Sequence, residues 1–319
     1  MAIAGRHLRD YEVGESFTGF FVLRSRELRT RRDGAPYIVM EFGDCSGRLF
    51  GNIWDDAERL YHDFETGCIV KMQATIESYR GTNQVSIKRI RNLVPEDDVD
   101  NRDFIEATTI DVDKAYAKLC RIVGGFKNTH LQELLNTFLD DPEFEKSFKR
   151  APGGKLWHHN RIGGLIEHTV AVLRLCRMMS RFYPEADTDL MVSGAILHDI
   201  GKIEEYRYDT TIDYTEHGRL VGHITIGASW VSEKAANIKE FPQETLDRLI
   251  HLILSHQGEL AHGSPVQPAT REAFLLHFAD LIDSKMDALS RIRRKIPDDE
   301  RWTFVKLLGR YIDVGDPKM

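Results

Sequence analysis

An acidic run over residues 96–113 divides this 319-residue chain into two textures that a single fold class cannot accommodate. The run holds eight Asp or Glu and one Arg, and so carries as much net negative charge as the whole chain, −7. Both flanking segments are close to neutral, so the total charge marks a boundary and says little about partners. Like charges repel, and the run after Pro95 reads as an extended linker. The layout predicts a domain over 1–95, a linker over 96–113 and a domain over 114–319, in keeping with about two domains for this length.

Before the linker the pattern is β. Phe17–Leu28, Tyr37–Phe42, Arg48–Ile53, Cys68–Ser78 and Gln84–Ile90 are rich in β-branched and aromatic residues. Asp33-Gly34, the run 44–47 and Gly81-Thr82-Asn83 supply turn chemistry between them. Ile38, Met40 and Phe42 alternate with Tyr37, Val39 and Glu41, as a half-buried strand requires. A helical element fits between the third and fourth strands, over Asp55–His62 with Asp55 at its cap. Five strands with a helix after the third is the layout of an OB-fold barrel.

After the linker the pattern is α. Ile162, Leu165, Ile166, Thr169, Val170 and Leu173 recur at helical spacing, as do Leu246, Leu249, Ile250 and Ile253. Ala273–Ile292 is a long helix candidate, and Trp302, Val305, Leu308 and Ile312 suggest an amphipathic helix over 301–312. Breakers at Pro142, Gly153-Gly154, Gly163-Gly164, Pro184, Gly201 and Pro242 divide the segment into about seven helices or more. The fold class expected is therefore multidomain β plus α, a five-stranded barrel followed by an all-α domain. No stretch approaches the ~20 apolar residues of a membrane helix, and the first ten residues lack a signal-peptide core. Cys45, Cys68, Cys120 and Cys176 lie far apart, as reduced, mostly buried thiols of a cytoplasmic protein would.

Ten of the 13 histidines fall between residues 158 and 277. His168 lies beside an apolar stripe and so faces inward. His198-Asp199 ends a helix over Leu190–His198, with Gly201 suited to its C-cap. His256 ends another helix, and Asp280 falls between Phe278 and Leu281 on a largely apolar face. A buried carboxylate is costly unless something neutralises it, and a metal ion would do so. Taken singly, each histidine reads as a hydrogen-bonded core residue. The order His, His-Asp, Asp on successive inward faces points to a metal site.

These residues resemble the signature of the HD-domain metal-dependent phosphohydrolases. The closer resemblance is to the YhaM-type 3′→5′ exoribonucleases, which join an N-terminal OB-fold to an HD domain. It is carried by Lys155–Asn160, Gly163–Thr169, Ile196–Lys202, Gly222–Ile224, Leu254–His256 and Leu276–Met286, and covers nearly the whole chain. Gln257 departs from it, standing where a second histidine is expected after His256. The resemblance implies a metal set of His168, His198, Asp199 and Asp280, with His223 and His256 serving a second ion. Mixed imidazole and carboxylate donors suit Mn, Co, Fe, Ni or Zn over Mg or Ca, and Mn is expected first. Two adjacent ions would clamp the oxygens of a phosphodiester and activate water. Asp199 is the expected bridging ligand. Lys202 could reach a phosphate oxygen, or simply favour a helix C-terminus. His158, His159 and Arg161 are placed at the pocket mouth, on substrate phosphate or in ordinary cap roles.

The β segment carries Arg24, Arg26, Arg29, Arg31 and Arg32 within nine residues. Arg48, Phe50 and Trp54 share one strand parity, opposite Leu49, Gly51 and Ile53, with Tyr37 placed beside them. An outward aromatic face among cations suits single-stranded nucleic acid: stacking for bases, charge for phosphates. The bland alternative pairs these arginines with Glu27, Glu41 and Asp44 and packs Trp54 on the barrel mouth. The expected partner is single-stranded RNA or DNA; the residues do not separate the two, and the choice of RNA and of polarity comes only from the resemblance. Competing readings are an HD phosphodiesterase acting on small nucleotides, a di-iron oxygenase and a non-catalytic nucleic-acid-binding factor. Nothing in the sequence fixes the oligomeric state.

Overall fold

The computed structural model describes residues 6–315, apart from 80, 98, 100–103, 295 and 297–299. It forms two compact units, Met1–Ala107 with Arg207–Asp213, and Thr108–Tyr206 with Tyr214–Met319.

In the first unit five strands close a barrel in the order β1-β2-β3-β5-β4. They are β1 (Ser16–Thr30), β2 (Pro36–Gly43), β3 (Arg48–Ile53), β4 (Ile69–Tyr79) and β5 (Thr82–Asn92), with helix α1 (Ala57–Asp63) between β3 and β4. Every pairing is antiparallel except β3 with β5, which gives the OB-fold that the strand layout predicts. β1 serves two neighbours, Ser16–Val22 on β4 and Val22–Thr30 on β2, with an irregularity between Leu23 and Ser25. The alternation of β2 fills the barrel: Ile38, Met40 and Phe42 are fully buried among Phe21, Leu23, Val70 and Met72. Gly51 faces Val85 across the parallel pair, and a Cβ there would stand 2.6 Å from Val85 Cγ2. The close approach that shuts the barrel therefore needs glycine. Asp56, not Asp55, precedes α1, and its side chain makes no cap.

The described part of the acidic run differs from a self-repelling linker. Asp97 accepts from Arg91 at 2.6 Å and lies 3.4 Å from Lys71. Phe104 packs with Val22 and Ile69. Strand cations and a buried aromatic outweigh repulsion among the acids. Residues 98 and 100–103 of the run lie outside the described residues.

The second unit begins with α2 (Val112–Val123), α3 (Thr129–Leu139) and α4 (Pro142–Arg150), followed by α5 (Gly164–Met179), α6 (Thr188–Leu197) and the short α7 (Lys202–Glu205). The chain then forms a ribbon of β6 (Tyr206–Tyr208) and β7 (Ile212–Tyr214), of which Arg207–Asp213 belong to the first unit, and continues in the second with α8 (Glu216–Val221), α9 (His223–Ala236), α10 (Gln243–Ser255) and α11 (Arg271–Arg293). Side-chain caps set several starts, among them Asp111 on α2, Asn128 on α3, Asp141 on α4 and Thr270 on α11. α5 packs against α6, α11, α2 and α4, and all of residues 190–197 in α6 are buried. A helix with neighbours all round has no use for a polar face.

The helix expected over 301–312 is instead a hairpin of β8 (Trp302–Val305) and β9 (Arg310–Asp313), turned by Gly309 at φ +62°. That conformation suits glycine and ends any helix. The four cysteines are free; Cys176 is buried and the other three are only half-buried. Among the described residues no helix is long and apolar enough to cross a membrane.

Candidate metal centre

The six residues predicted as ligands meet inside the second unit. His168 comes from the middle of α5, His198 and Asp199 from the end of α6, His223 from the start of α9, His256 from the end of α10 and Asp280 from α11. His168 Nε2 lies 3.2 Å from both His198 Nε2 and Asp280 Oδ1. Asp199 stands between two groups. Its Oδ2 is 3.4 Å from Nε2 of His168 and of His198, while its Oδ1 is 3.5 Å from His223 Nε2 and 3.6 Å from His256 Nε2.

Glycines allow this convergence. A Cβ on Gly201 would lie 2.1 Å from the carbonyl oxygen of His223, so the turn after Asp199 touches the start of α9 directly. Gly201 therefore serves close approach and is not the C-cap expected of it; its φ is −62°. At the start of α5, a Cβ on Gly164 would lie 1.9 Å from the His159 carbonyl oxygen. Asp280 is buried, but Phe278 and Leu281 turn outward, so the face of α11 expected to be apolar is split.

Every imidazole in the set is held through Nδ1. His198 donates to the Ala195 carbonyl oxygen at 3.1 Å and His256 to that of Ile253 at 2.7 Å, each satisfying the last turn of its own helix. His168 donates to Asp283 Oδ2 at 2.7 Å and His223 to Glu205 Oε1 at 2.9 Å. A proton on Nδ1 leaves the Nε2 lone pair aimed at the centre, as a metal ligand requires.

The electrostatics favour a cation. Burial pushes the His168 imidazole down, but Asp199, Asp280 and Asp283 together hold it well above the usual histidine range. Burial raises Asp199, yet Lys202, His198, His168 and His223 bring its carboxyl well below the usual range. Burial dominates at His256 and lowers it to about 3, and it also lowers His198, so both stay neutral ligands. Asp199 Oδ1 and His223 Nε2 are buried without a hydrogen-bond partner. Buried orphaned atoms, a mixed N/O donor set and preset tautomers fit a divalent ion. Among the described residues three groups of donors could each reach one ion: His168, His198 and Asp280; Asp199, His223 and His256; and His159, His168 and Asp283. In the last of these Asp283 already bonds both imidazoles.

Other expected roles need correcting. Lys202, expected at a phosphate, is buried and donates to Asp199 Oδ2 and to the Gly153 carbonyl oxygen, both at 2.6 Å. His159 and Arg161 are buried behind the ligands, not set at a pocket mouth. His159 pairs with Asp283 at 2.8 Å, and Arg161 with Glu167 at 2.8 Å and Asp287 at 2.7 Å. The reason is local: Gly153 and Gly164 let this segment fold inward against α11. Sequence reading missed Asp283 and Glu205, which orient His168 and His223, and Asp287 and Glu167, which hold Arg161 behind them. Asp283 and Asp287 stand three and seven residues after Asp280, one face of one helix, and that spacing was the available signal. Asp283→Asn keeps the shape and removes the charge behind His168. It is expected to weaken metal binding about 10–100-fold, read by competition with a chelating dye; unchanged affinity would separate Asp283 from the site.

In the barrel the arginines divide. Arg24 is largely buried and donates to the carbonyl oxygens of Phe104 and Thr210; Arg26 donates to those of Tyr61 and Phe64. Both tie down backbone and are withdrawn from the nucleic-acid face expected of them, because carbonyl groups at the end of α1 and in the turns at Phe104 and Thr210 need donors. Arg29 is exposed and pairs with Glu27 at 2.7 Å, and Arg48 is exposed near Glu41 at 3.5 Å. Tyr37 stacks on Trp54 at 4.8 Å with 17° between planes, and the Arg31 guanidinium lies over Trp54 at 5.0 Å. Phe50 is 51 % exposed and Trp54 49 %.

An OB-fold barrel in one unit, and in the other a helical site built on His168, His198-Asp199 and Asp280, define a two-domain protein of the HD class. The HD domain family model matches residues 165–285. The 3′-5′ exoribonuclease YhaM of Listeria innocua is 33% identical over 287 residues, covering 90% of this chain and 91% of the relative. That of Bacillus subtilis is 30% identical over 290 residues, 91% of each chain. The chain belongs to the YhaM 3′-5′ exoribonuclease family.

Proposed function

We infer that this protein is a metal-dependent 3′→5′ exoribonuclease acting on single-stranded RNA in the cytoplasm. Residues 1–95 hold the strand, residues 114–319 hydrolyse it, and 96–113 join the two. The observation that carries the reading is the two-sided Asp199 carboxylate, with Oδ2 toward His168 and His198 and Oδ1 toward His223 and His256. That arrangement suits two divalent ions, manganese first among Mn, Co, Fe, Ni and Zn. His168, His198, Asp199 and Asp280 would hold one, and His223 and His256 with Asp199 would hold the other. When bound, such ions supply Lewis-acid activation of water and of the phosphodiester.

The chain supplies the rest. Four Nδ1–H bonds fix the imidazoles in place, so little reorganisation remains when substrate arrives. Lys202 offsets one charge of Asp199 and holds its Oδ2. In the barrel, Phe50 and the Tyr37–Trp54 stack offer bases a surface, with Arg31 behind it and Arg29 and Arg48 beside it. The RNA specificity and the polarity follow from membership of the family.

Phe50→Ala with Trp54→Ala is expected to weaken binding of an RNA oligonucleotide by about 1–3 kcal/mol per ring removed, measured by fluorescence anisotropy. Turnover at saturating RNA should be unchanged, and equal affinity in the double variant would remove the stacking face. The function itself is tested by adding Mn, Co, Fe, Ni, Zn or Mg to metal-depleted protein with RNA, DNA, mononucleotides and cyclic nucleotides. Metal-restored turnover of RNA above that of small nucleotides supports it; turnover of small nucleotides alone replaces it with a nucleotide phosphodiesterase.

A further inference from the structure

The segment between α4 and α5 lies outside any helix or strand, yet it is tied at several points. Gly153 N–H donates to the His159 carbonyl oxygen at 2.9 Å, and the His159 N–H donates to Asp287 Oδ2 at 2.6 Å. His159 Nε2 meets Asp283 at 2.8 Å, and Arg161 bridges Glu167 and Asp287. From α11, Arg291 donates to the Trp157 carbonyl oxygen at 2.7 Å. His159 takes φ +44°, a left-handed conformation rare for a residue with a Cβ, and such departures persist only where the surroundings impose them.

His158 lies in the middle of these anchors and receives none of them. Both of its ring nitrogens are buried and have no hydrogen-bond partner. Its ring centroid is 5.4 Å from that of His168, and its charge environment includes Lys202, Asp280 and Asp199. An imidazole carries one N–H and one lone pair to offer a partner. Buried polar groups are almost always paired. Here the chain fixes the neighbours of an imidazole, accepts a left-handed residue beside it, and leaves the imidazole itself free next to the ligands.

We propose that His158 is a substrate-contacting residue whose ring N–H donates to a non-bridging oxygen of the phosphate under attack, and that His159, Arg161, Asp283 and Asp287 position it. This rests on the phosphodiester-hydrolysing reading above. It separates roles that adjacency in sequence suggests are shared: His158 faces the substrate, while His159 and Arg161 form its support. Lys202, the other candidate for a phosphate contact, is committed to Asp199 and Gly153.

The test compares wild type, His158→Ala and His158→Gln, each loaded with Mn²⁺, for bound metal, thermal unfolding and steady-state hydrolysis of a single-stranded RNA. A second substrate carries a phosphorothioate of each stereochemistry at the 3′-terminal linkage. Metal content and unfolding should match wild type, while kcat of the alanine variant falls about 10²-fold. Glutamine, which keeps an N–H, should recover part of the loss. Sulfur at the contacted position, a poorer acceptor, should slow wild type more than His158→Ala. Unchanged turnover overturns the proposal, and so does loss of metal, which would make His158 a ligand. If alanine fails to fold, the glutamine variant with the phosphorothioate pair decides. A wild type that binds metal and cleaves no RNA instead refutes the function above, a distinct result.

Discussion

Asp199→Asn is expected to lower hydrolysis of single-stranded RNA by about 10³-fold or more, since several kcal/mol of transition-state stabilisation pass through such a site. The substitution keeps the volume of the side chain and removes its charge. Four imidazoles and Lys202 face that one carboxylate, so no neighbour can take its place between the two donor groups. Stability should fall as well. Lys202 is buried, and in the variant its ammonium keeps only neutral acceptors such as the Gly153 carbonyl. Removing one partner of a buried ion pair costs about 3–5 kcal/mol. In a domain of this size that lowers the melting temperature by roughly 6–20 °C. Calorimetry beside single-turnover kinetics separates the two effects: Asp199→Asn at a temperature where it remains folded should still be inactive. Activity within tenfold of wild type there would remove Asp199 from the reaction.

The second large effect comes from a residue with no side chain. Gly201→Ala would set a Cβ 2.1 Å from the carbonyl oxygen of His223 and 2.8 Å from the amide nitrogen of Gly227. Both are backbone atoms, so no rotamer change relieves the contact, and either the turn after Asp199 or the start of α9 must move. Overpacking of this kind costs about 1–3 kcal/mol and occasionally more; backbone against backbone places it at the upper end. The displacement also carries His223 away from Asp199. The variant should therefore melt lower and bind less metal at saturation than wild type. Gly125→Ala is the control, because its Cβ would meet nothing closer than 3.5 Å. If Gly201→Ala melts and binds metal like that control, the turn is looser than described.

The barrel was legible from the sequence because alternation over Ile38–Phe42 and the turn residues around it act locally. The outward parity of Phe50 and Trp54 followed from the same rule, with Gly51 inward. What Arg24 and Arg26 do was not legible: their partners are carbonyl groups 35 to 186 residues away, and nothing in a local run of arginines distinguishes a backbone tie from a surface cation. The hairpin at 302–313 was misread because apolar spacing of three and four residues fits a helix in so short a run; Gly309 was the contrary signal. In the helical unit the convergence of His168, His198, Asp199, His223, His256 and Asp280 could be anticipated, since each sits on or at the end of an inward face. The inward fold of residues 153–164 could not. It depends on glycines whose role is to let backbones touch, and on carboxylates of α11 that meet the segment only in three dimensions.

The most direct measurement follows a 5′-end-labelled single-stranded RNA incubated with metal-depleted protein, before and after Mn²⁺ is restored, with Asp199→Asn in parallel. The expected result is a ladder that shortens stepwise from the 3′ end, appears only when metal is present and is absent from the variant. A single internal cut, release of the label as a mononucleotide from the start, or the same ladder from metal-free or Asp199→Asn protein would contradict the account.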